Sequence, residues 1–452
     1  MISGIDNGKY PRPAHFCRLL VTAHPAVSCR GTGKIMSGFL NILVVVGLVL
    51  IRVGEARAQL DNRAFTGDTT THAFHWQSKP SLDSLGKRIP GLYDDDIVLN
   101  GEYEPEKRGE IRLALHSFTF FKDNEYFNLT ADGYTLFGTQ LNPQLVYYPT
   151  NNLRLEAGVF LWKDFGNPVL QQVRPTFRAT WTVKRHQFIL GNIHPHLSHH
   201  YIEPLLNFER VMLKPLEEGL QYRYLSRRLF VDVWVDWLRQ QYRYSNFQEE
   251  LVGGLSSRYR LSRAASAVQV ALPFQFAAQH HGGQIDTLDK PLQTLFNEAV
   301  GLEARLRLGN RQRALRFNGY VVGFQDNSPT QGQLPFKYGR AWYLNATLET
   351  RYADVMLSYW QGQRFIAPLG GDLYQGLSRT VSNPTFIDRD RRLLLLRLLR
   401  DFRIADAAAL TVRLEPVYDL NARLLDFSLG VYLNFRQEWL LGNVGRRVRV
   451  GQ

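Results

Sequence analysis

Residues Asp426 to Arg436 read DFSLGVYLNFR. Phe427, Leu429, Val431, Leu433 and Phe435 fall on one face of an extended chain. Asp426, Ser428, Gly430, Tyr432, Asn434 and Arg436 fall on the other. Side chains of a β-strand alternate between the two faces of its sheet, so this pattern predicts a strand with one apolar side. The same alternation recurs along the chain. In 299–308, Val300, Leu302, Ala304, Leu306 and Leu308 oppose Glu303, Arg305 and Arg307. In 153–162, Leu153, Leu155, Ala157, Val159 and Leu161 oppose Arg154 and Glu156. In 341–351, Trp342, Leu344, Ala346 and Leu348 oppose Asn345, Thr347, Glu349 and Arg351.

A soluble β-sandwich alternates too. Three features favour a closed barrel in lipid. The strands approach the 9–11 residues that a tilted membrane strand needs. Aromatic residues gather near strand ends (Tyr147, Tyr148, Trp162, Trp181, Trp237, Trp342, Tyr359, Trp360, Tyr418, Trp439), as interfacial girdles do. The connections alternate short and long. Strands are expected at 110–121, 133–147, 153–163, 171–183, 186–193, 219–225, 229–239, 252–261, 267–277, 299–308, 313–323, 341–350, 354–363, 390–401, 408–418 and 426–436. The fold class is therefore all-β, an antiparallel transmembrane β-barrel of about sixteen strands. An even number returns both ends to one side, which short turns mark as periplasmic. Pro143, Pro175, Pro273 and Pro416 fall inside strands and are expected at bulges or bends. Leu393 to Leu396 is apolar on both faces, so that strand is expected to pack against something inside the barrel.

The N-terminus reads as an export signal. Residues 39–51, FLNILVVVGLVLI, form an apolar run too short to span a bilayer and suited to a signal-peptide core. Ala56 and Ala58 make an A-x-A site, which predicts cleavage between Ala58 and Gln59. Met36 is the expected start, since a long extension otherwise precedes the run. The organisation expected is a leader over 1–58, a periplasmic or plug-like segment over 59–109, the barrel over 110–439 and a basic tail over 440–452.

The net charge of +13 is partly a property of the leader. Residues 1–58 hold seven basic and two acidic groups, and without them 13 − 5 = +8 remains. Arg is spread along strands and not gathered into a patch, which argues against a nucleic-acid partner. Both cysteines, Cys17 and Cys29, lie in the leader, so the mature chain would carry none, as suits the periplasm.

The runs FTFFKDNEYF (118–127), GYTLFGTQLNPQLVYYP (133–149) and HHYIEPLLNFERVMLKPLEEGLQ (199–221) resemble uncharacterised porin-like outer-membrane barrels of Bacteroidetes-type Gram-negative bacteria. The resemblance covers about 110–439. It implies a fold and an outer-membrane address, not a substrate.

Charged residues on the polar faces are expected to line the lumen, because an Arg facing lipid costs about 2–4 kcal/mol near the midplane. They are Arg154, Glu156, Arg174, Arg178, Arg223, Asp232, Asp236, Glu303, Arg305, Arg307, Arg316, Glu349, Arg413, Glu415 and Arg436. The connection 194–218 is the third long loop and is expected to fold inward, with Pro204 opening a short helix that runs to Met212. His199, His200, Glu203, Glu209 and Arg210 would form its constriction cluster. His194, His196, His199 and His200 are the candidate metal ligands, at a spacing that matches no defined motif. The mature chain has no nucleophile elbow, Walker loop, HExxH or CxxC. The reading is thus a non-enzymatic, cofactor-free, porin-like channel for small polar or anionic solutes, in contact with outer-membrane lipid. The alternatives are a structural barrel with a homo-oligomeric or envelope-complex partner, and a lipid hydrolase.

Overall fold

The computed structural model describes residues 107–444, apart from 227, 264–265, 284, 286–287, 309–312, 331, 351 and 406. The leader, the Ala58–Gln59 cleavage site, Met36 and nearly all of 59–109 lie outside the described residues.

Sixteen strands form one closed antiparallel barrel in chain order. They are β1 (Glu110–Glu125), β2 (Tyr134–Thr150), β3 (Leu153–Asp164), β4 (Gln172–Val183), β5 (His186–Asn192), β6 (Glu218–Leu225), β7 (Leu229–Arg239) and β8 (Glu250–Arg260). The second half comprises β9 (Val268–His281), β10 (Gln293–Arg307), β11 (Ala314–Asp326), β12 (Tyr338–Glu349), β13 (Asp354–Gln363), β14 (Asp390–Ala405), β15 (Ala408–Asp419) and β16 (Leu424–Asn443). β1 closes the sheet on β16, from Glu110↔Asn443 to Glu125↔Phe427. The last strand thus runs past the expected Arg436 and takes in the first residues of the expected tail. Tight turns such as 151–152 and 184–185 join strands at one end, the short-turn end. The connections at the other end include 193–217 and 364–389, and this is the long-loop end.

The apolar faces point outward. Val300, Leu302, Trp342, Leu344 and Leu348 are exposed, while their neighbours Glu303, Tyr343 and Asn345 are buried. A chain folded in water would bury the first set; a barrel in lipid presents it to acyl chains. Three aromatics depart from the expected girdle. Tyr148, Trp162 and Trp360 are buried on inward positions, whereas Trp181, Trp237, Trp342 and Trp439 face out. Alternation decides the side: Tyr147 and Tyr148 are adjacent, so only one of them can face lipid.

The prolines do not mark bulges. Register shifts occur at Ile111/Arg112, Tyr147/Thr150, Trp237/Arg239 and Arg403/Ala405. Each proline sits where one ladder lapses without losing register. Pro143 pairs with Leu115 of β1 but has no partner in β3's ladder. Pro273 does the same toward β10 and Pro416 toward β14, and Pro175 lies beyond the stretch of β4 that β5 covers. A missing N–H costs nothing where no acceptor faces it. Gly158, opposite Gln144, sits close by: a Cβ there would lie 2.2 Å from the Pro143 carbonyl oxygen.

The interior is packed. One buried cluster joins wall residues such as Trp234, Leu295, Tyr320, Tyr343, Trp360 and Leu395 to Ile202, Leu205, Phe365, Ile366 and Leu369 of the two longest loops. The doubly apolar stretch of β14 is explained here: Leu393 and Leu395 are buried inward and Leu394 is exposed outward.

Candidate functional site

Two loops from the long-loop end fold into the barrel. The first, 193–217, is the connection expected over 194–218 to fold inward. It is pinned to β9, where Tyr201 Oη donates to the Phe276 carbonyl at 2.7 Å and the Ile202 amide donates to Gln275 Oε1 at 2.9 Å. Its helix, α1, spans only Arg210–Leu213 and does not begin at Pro204. The reason is a close crossing: a Cβ on Gly370 would lie 2.0 Å from the Pro204 carbonyl oxygen, and the Asn207 and Gly371 amides bond across to Leu369 and Glu203. The backbone around Pro204 is spent on the second loop, 364–389, instead of a helix. That loop is held to β10 by Asn297 Nδ2 on the Ile366 carbonyl (2.8 Å) and braced internally by Gln375 on Ala367 and Gly371.

The loop histidines enter a buried ion-pair network. His199 bonds Asp232 at 2.8 Å through Nδ1 and Glu217 at 2.7 Å through Nε2, and stacks on Trp234 at 4.3 Å. His196 lies 2.9 Å from Glu217, and Arg210 lies 3.6 Å from it. His200 rests on the Phe230 ring. Both nitrogens of His199 are taken by carboxylates, which leaves no lone pair for a metal. Among the described residues no group of three or more His, Cys, Asp or Glu is arranged to hold a metal ion. Burial pushes the His199 imidazolium toward neutrality; Asp232 and Glu217 outweigh that and hold its pKa up at about 9. Burial also works against the Glu217 carboxylate, yet His196 and His199 bring its pKa well below the usual range.

The sign of the linkage follows. The raised His199 pKa stabilises the fold fully below its unfolded value near 6.5, and this is lost as pH rises through about 9. The depressed Glu217 pKa acts oppositely, so its contribution is lost as pH falls below the ordinary carboxylate range. In pH-dependent urea unfolding, His199→Gln should remove roughly 3 kcal/mol of stability at pH 6 that is nearly gone at pH 10. A deficit that stays constant across that range would show that His199 is not held as an imidazolium.

The other carboxylates of the loop gather elsewhere. Glu203 and Glu209 line a cleft between loops 126–133, 193–217 and 364–389, with Lys122, Tyr134, Asp372 and Arg397 among its walls. Arg210, expected beside them, belongs to the histidine network. Glu209 receives Asn124 Nδ2 at 2.8 Å and Tyr134 Oη, with Lys122 Nζ at 3.2 Å. Glu203 receives Arg397, and Tyr374 Oη at 3.2 Å. Arg397 and Arg413 both reach Glu415, and Arg413 lies over the Phe208 ring at 4.4 Å. Asp372 differs: no side-chain hydrogen bond or ion pair to it occurs among the described residues. Burial raises its pKa above the usual carboxylate range; Arg379 opposes this, and Glu209 and Asp132 reinforce it. The cleft offers about 30 Å³ to water, room for about two molecules.

The wall charges expected inside are on inward positions and are largely paired. Arg154 reaches Glu156 (2.8 Å) and Glu438 (2.5 Å), and Arg178 reaches Glu156 and the Asn192 and Ile193 carbonyls. Glu303 takes Arg258 at 2.6 Å, and Glu349 takes both Arg305 (2.6 Å) and Arg316 (3.0 Å). Arg174 meets Glu218 at 2.7 Å, Asp236 accepts the Glu218 amide, and Arg223 stands opposite Asp232. Arg436 stands opposite His116, and Arg307 is partly exposed near the short-turn end. Sequence reasoning missed Lys122, Asn124, Tyr134, Asp372, Tyr374 and Arg397. The first three lay in runs already singled out for their resemblance. For loop 364–389 the one available signal was the apolar FIAPL of 365–369 beside Gly370-Gly371.

With this geometry, the comparisons with known proteins bear directly on function. The sequence profile of the family described as Lipid A 3'-O-deacylase-type matches residues 103–444. The chain belongs to that family. The expectation that the barrel is no enzyme is thereby corrected, since the family is named for a hydrolytic activity. The outer-membrane barrel implied by the earlier resemblance stands, now within the deacylase-type family. No curated protein matches the chain. Similar solved structures include OprD from Pseudomonas aeruginosa (9% identity, 75% of this chain and 97% of that one, TM-score 0.45). They also include OmpT, an outer membrane protein of Vibrio cholerae (9%, 72% and 97%, TM-score 0.43), and OccAB4 of Acinetobacter baumannii (11%, 74% and 100%, TM-score 0.41).

Proposed function

We propose that this protein is an outer-membrane hydrolase that removes an ester-linked acyl chain from a glycolipid of the lipid A type, at the cleft between the inserted loops. The observation that carries the reading is the family match over 103–444, which spans the whole barrel. The packed lumen supports it, because a solute channel has the cluster of loop and wall side chains in its path. Short turns and both barrel ends are read as periplasmic, which puts the cleft at the outer leaflet.

In this reading Asp372 is the base. It takes a proton from one of the waters the cleft can hold, and that water attacks the ester carbonyl carbon. The Lys122 ammonium, which lines the same cleft, favours the developing oxyanion. The carbon–oxygen bond to the sugar then breaks, the alkoxide takes up the proton, and a fatty acid and a free hydroxyl result. Glu203 and Glu209 are unsuited to the role, since Arg397, Tyr374, Lys122 and Tyr134 occupy their oxygens.

Purified protein given lipid A in mixed micelles should release fatty acid detectable by mass spectrometry, and the same preparation should give no stepwise conductance in planar bilayers. Conductance without fatty-acid release would end the hydrolase reading and restore the channel.

A further inference from the structure

The outer rim of the long-loop end is not uniformly charged. Around β1, β8 and β10 its exposed or half-exposed positions include Asp123, Glu125, Glu249, Glu250 and Glu298. At β7 the cation Arg239 faces Glu250 at 3.9 Å. Across β12 to β14 the balance reverses. Lys337, Arg340, Arg364, Arg389 and Arg392 are all exposed there; of the acids among them, Asp390 is paired with Arg392 and Asp388 with the buried Arg391.

These cations occupy one continuous piece of wall. Arg340 stands opposite Gln363 and donates to its Oε1 at 3.0 Å; Gln363 stands opposite Asp390 and Gln361 opposite Arg392. The Arg364 amide bonds the Arg389 carbonyl at 2.9 Å, and a Cβ on Gly339 would lie 2.2 Å from the Arg364 carbonyl oxygen. Arg340 and Arg392 alternate with buried Ala341 and Arg391, so both point out of the barrel. On the same outward face of β12, Tyr338 and Trp342 flank Arg340 at 58% and 52% exposure. Toward the midplane follow Leu344, Leu357 and Leu394, all exposed. Aromatic rings beside cations, directly above an apolar wall, mark headgroup depth in a bilayer. A cation cluster there attracts anionic headgroups at about 1 kcal/mol per residue. Gln361 and Gln363 supply neutral donors between the guanidinium groups.

We infer that the outer wall across β12 to β14 binds the phosphorylated headgroup of an anionic lipid. The site lies on the lipid side of the wall, away from the cleft, and needs only that the barrel sits in a membrane. It therefore stands or falls independently of the hydrolase reading.

The test uses the full protein in a neutral detergent, titrated with water-soluble dihexanoyl phosphatidic acid and followed by native mass spectrometry. Dihexanoyl phosphatidylcholine and inorganic phosphate are the comparison probes. The wild type should bind phosphatidic acid more tightly than either. The double variant Arg340→Gln/Arg392→Gln should bind it about thirtyfold more weakly, Arg364→Gln should lose less, and Arg239→Gln at the mixed part of the rim should bind as the wild type does. All these side chains are exposed, and heat-modifiable gel mobility reports whether each variant is folded. Equal affinity in the double variant, or equal binding of phosphatidylcholine, would overturn the inference. Displacement of phosphatidic acid by an equimolar amount of inorganic phosphate would also overturn it, by making the site one for a free anion.

Discussion

Asp372→Asn is expected to lower fatty-acid release from lipid A by about 10²- to 10⁴-fold, the range that a positioned general base contributes. Asn keeps the size of the side chain and can neither accept the proton from water nor carry charge. Because Asp372 makes no side-chain hydrogen bond or ion pair among the described residues, the substitution breaks no contact, and stability should hold. Removing a half-buried carboxylate whose ionisation is disfavoured should even be mildly stabilising. The pH profile gives a second reading. A base must be deprotonated to act, so wild-type activity should fall as pH drops through a pKa above the ordinary carboxylate range. In the variant this limb should disappear. If Asp372→Asn retains activity within a few-fold, another group is the base and the assignment fails.

Arg397→Leu is expected to be the most damaging single change to stability, costing about 3–5 kcal/mol. Arg397 is 1% exposed and donates to Glu203, Glu415, Tyr374 (2.9 Å) and Tyr343 (3.2 Å). Leu leaves two carboxylates in a packed interior with Arg413 as their remaining guanidinium partner. Most of the cost is the stranded charge, not the lost attraction. Adding Glu203→Gln should therefore recover part of the loss, so that the double variant is more stable than Arg397→Leu alone in urea unfolding. A single variant within about 1 kcal/mol of wild type would mean that water reaches this cluster.

The barrel was legible because its signal is local. Each strand carries its own alternation, and the predicted segments differ from β1–β16 mainly where strands run on beyond the membrane belt, as β10 does toward Gln293 and β16 toward Asn443. Inward charge was legible for the same reason. Pairing was not: Arg397 meets Glu203 across 194 positions, and no periodicity reports such a distance. The histidines of 194–200 looked like ligands because residue type is visible in a sequence, whereas Asp232 and Glu217, which claim His199 on both sides, are neighbours only once β7 and the loop come together. Loop 364–389 was passed over because a connection is expected to be solvated, and its apolar residues have meaning only as a lid folded inward onto Pro204.

The seam between β1 and β16 puts an order on assembly. It joins the first strand of the barrel to the last, so His116 meets Asn434 across 318 positions and the ring cannot shut until the final segment exists. Loops 193–217 and 364–389 fill that ring, crossed over one another at Pro204 and Gly370 and tied to the adjacent strands β9 and β10. The interior can be laid down on an open, curling sheet, as a ship's engine is set in the hull before the deck goes on. The wall then closes around a filling that is already in place.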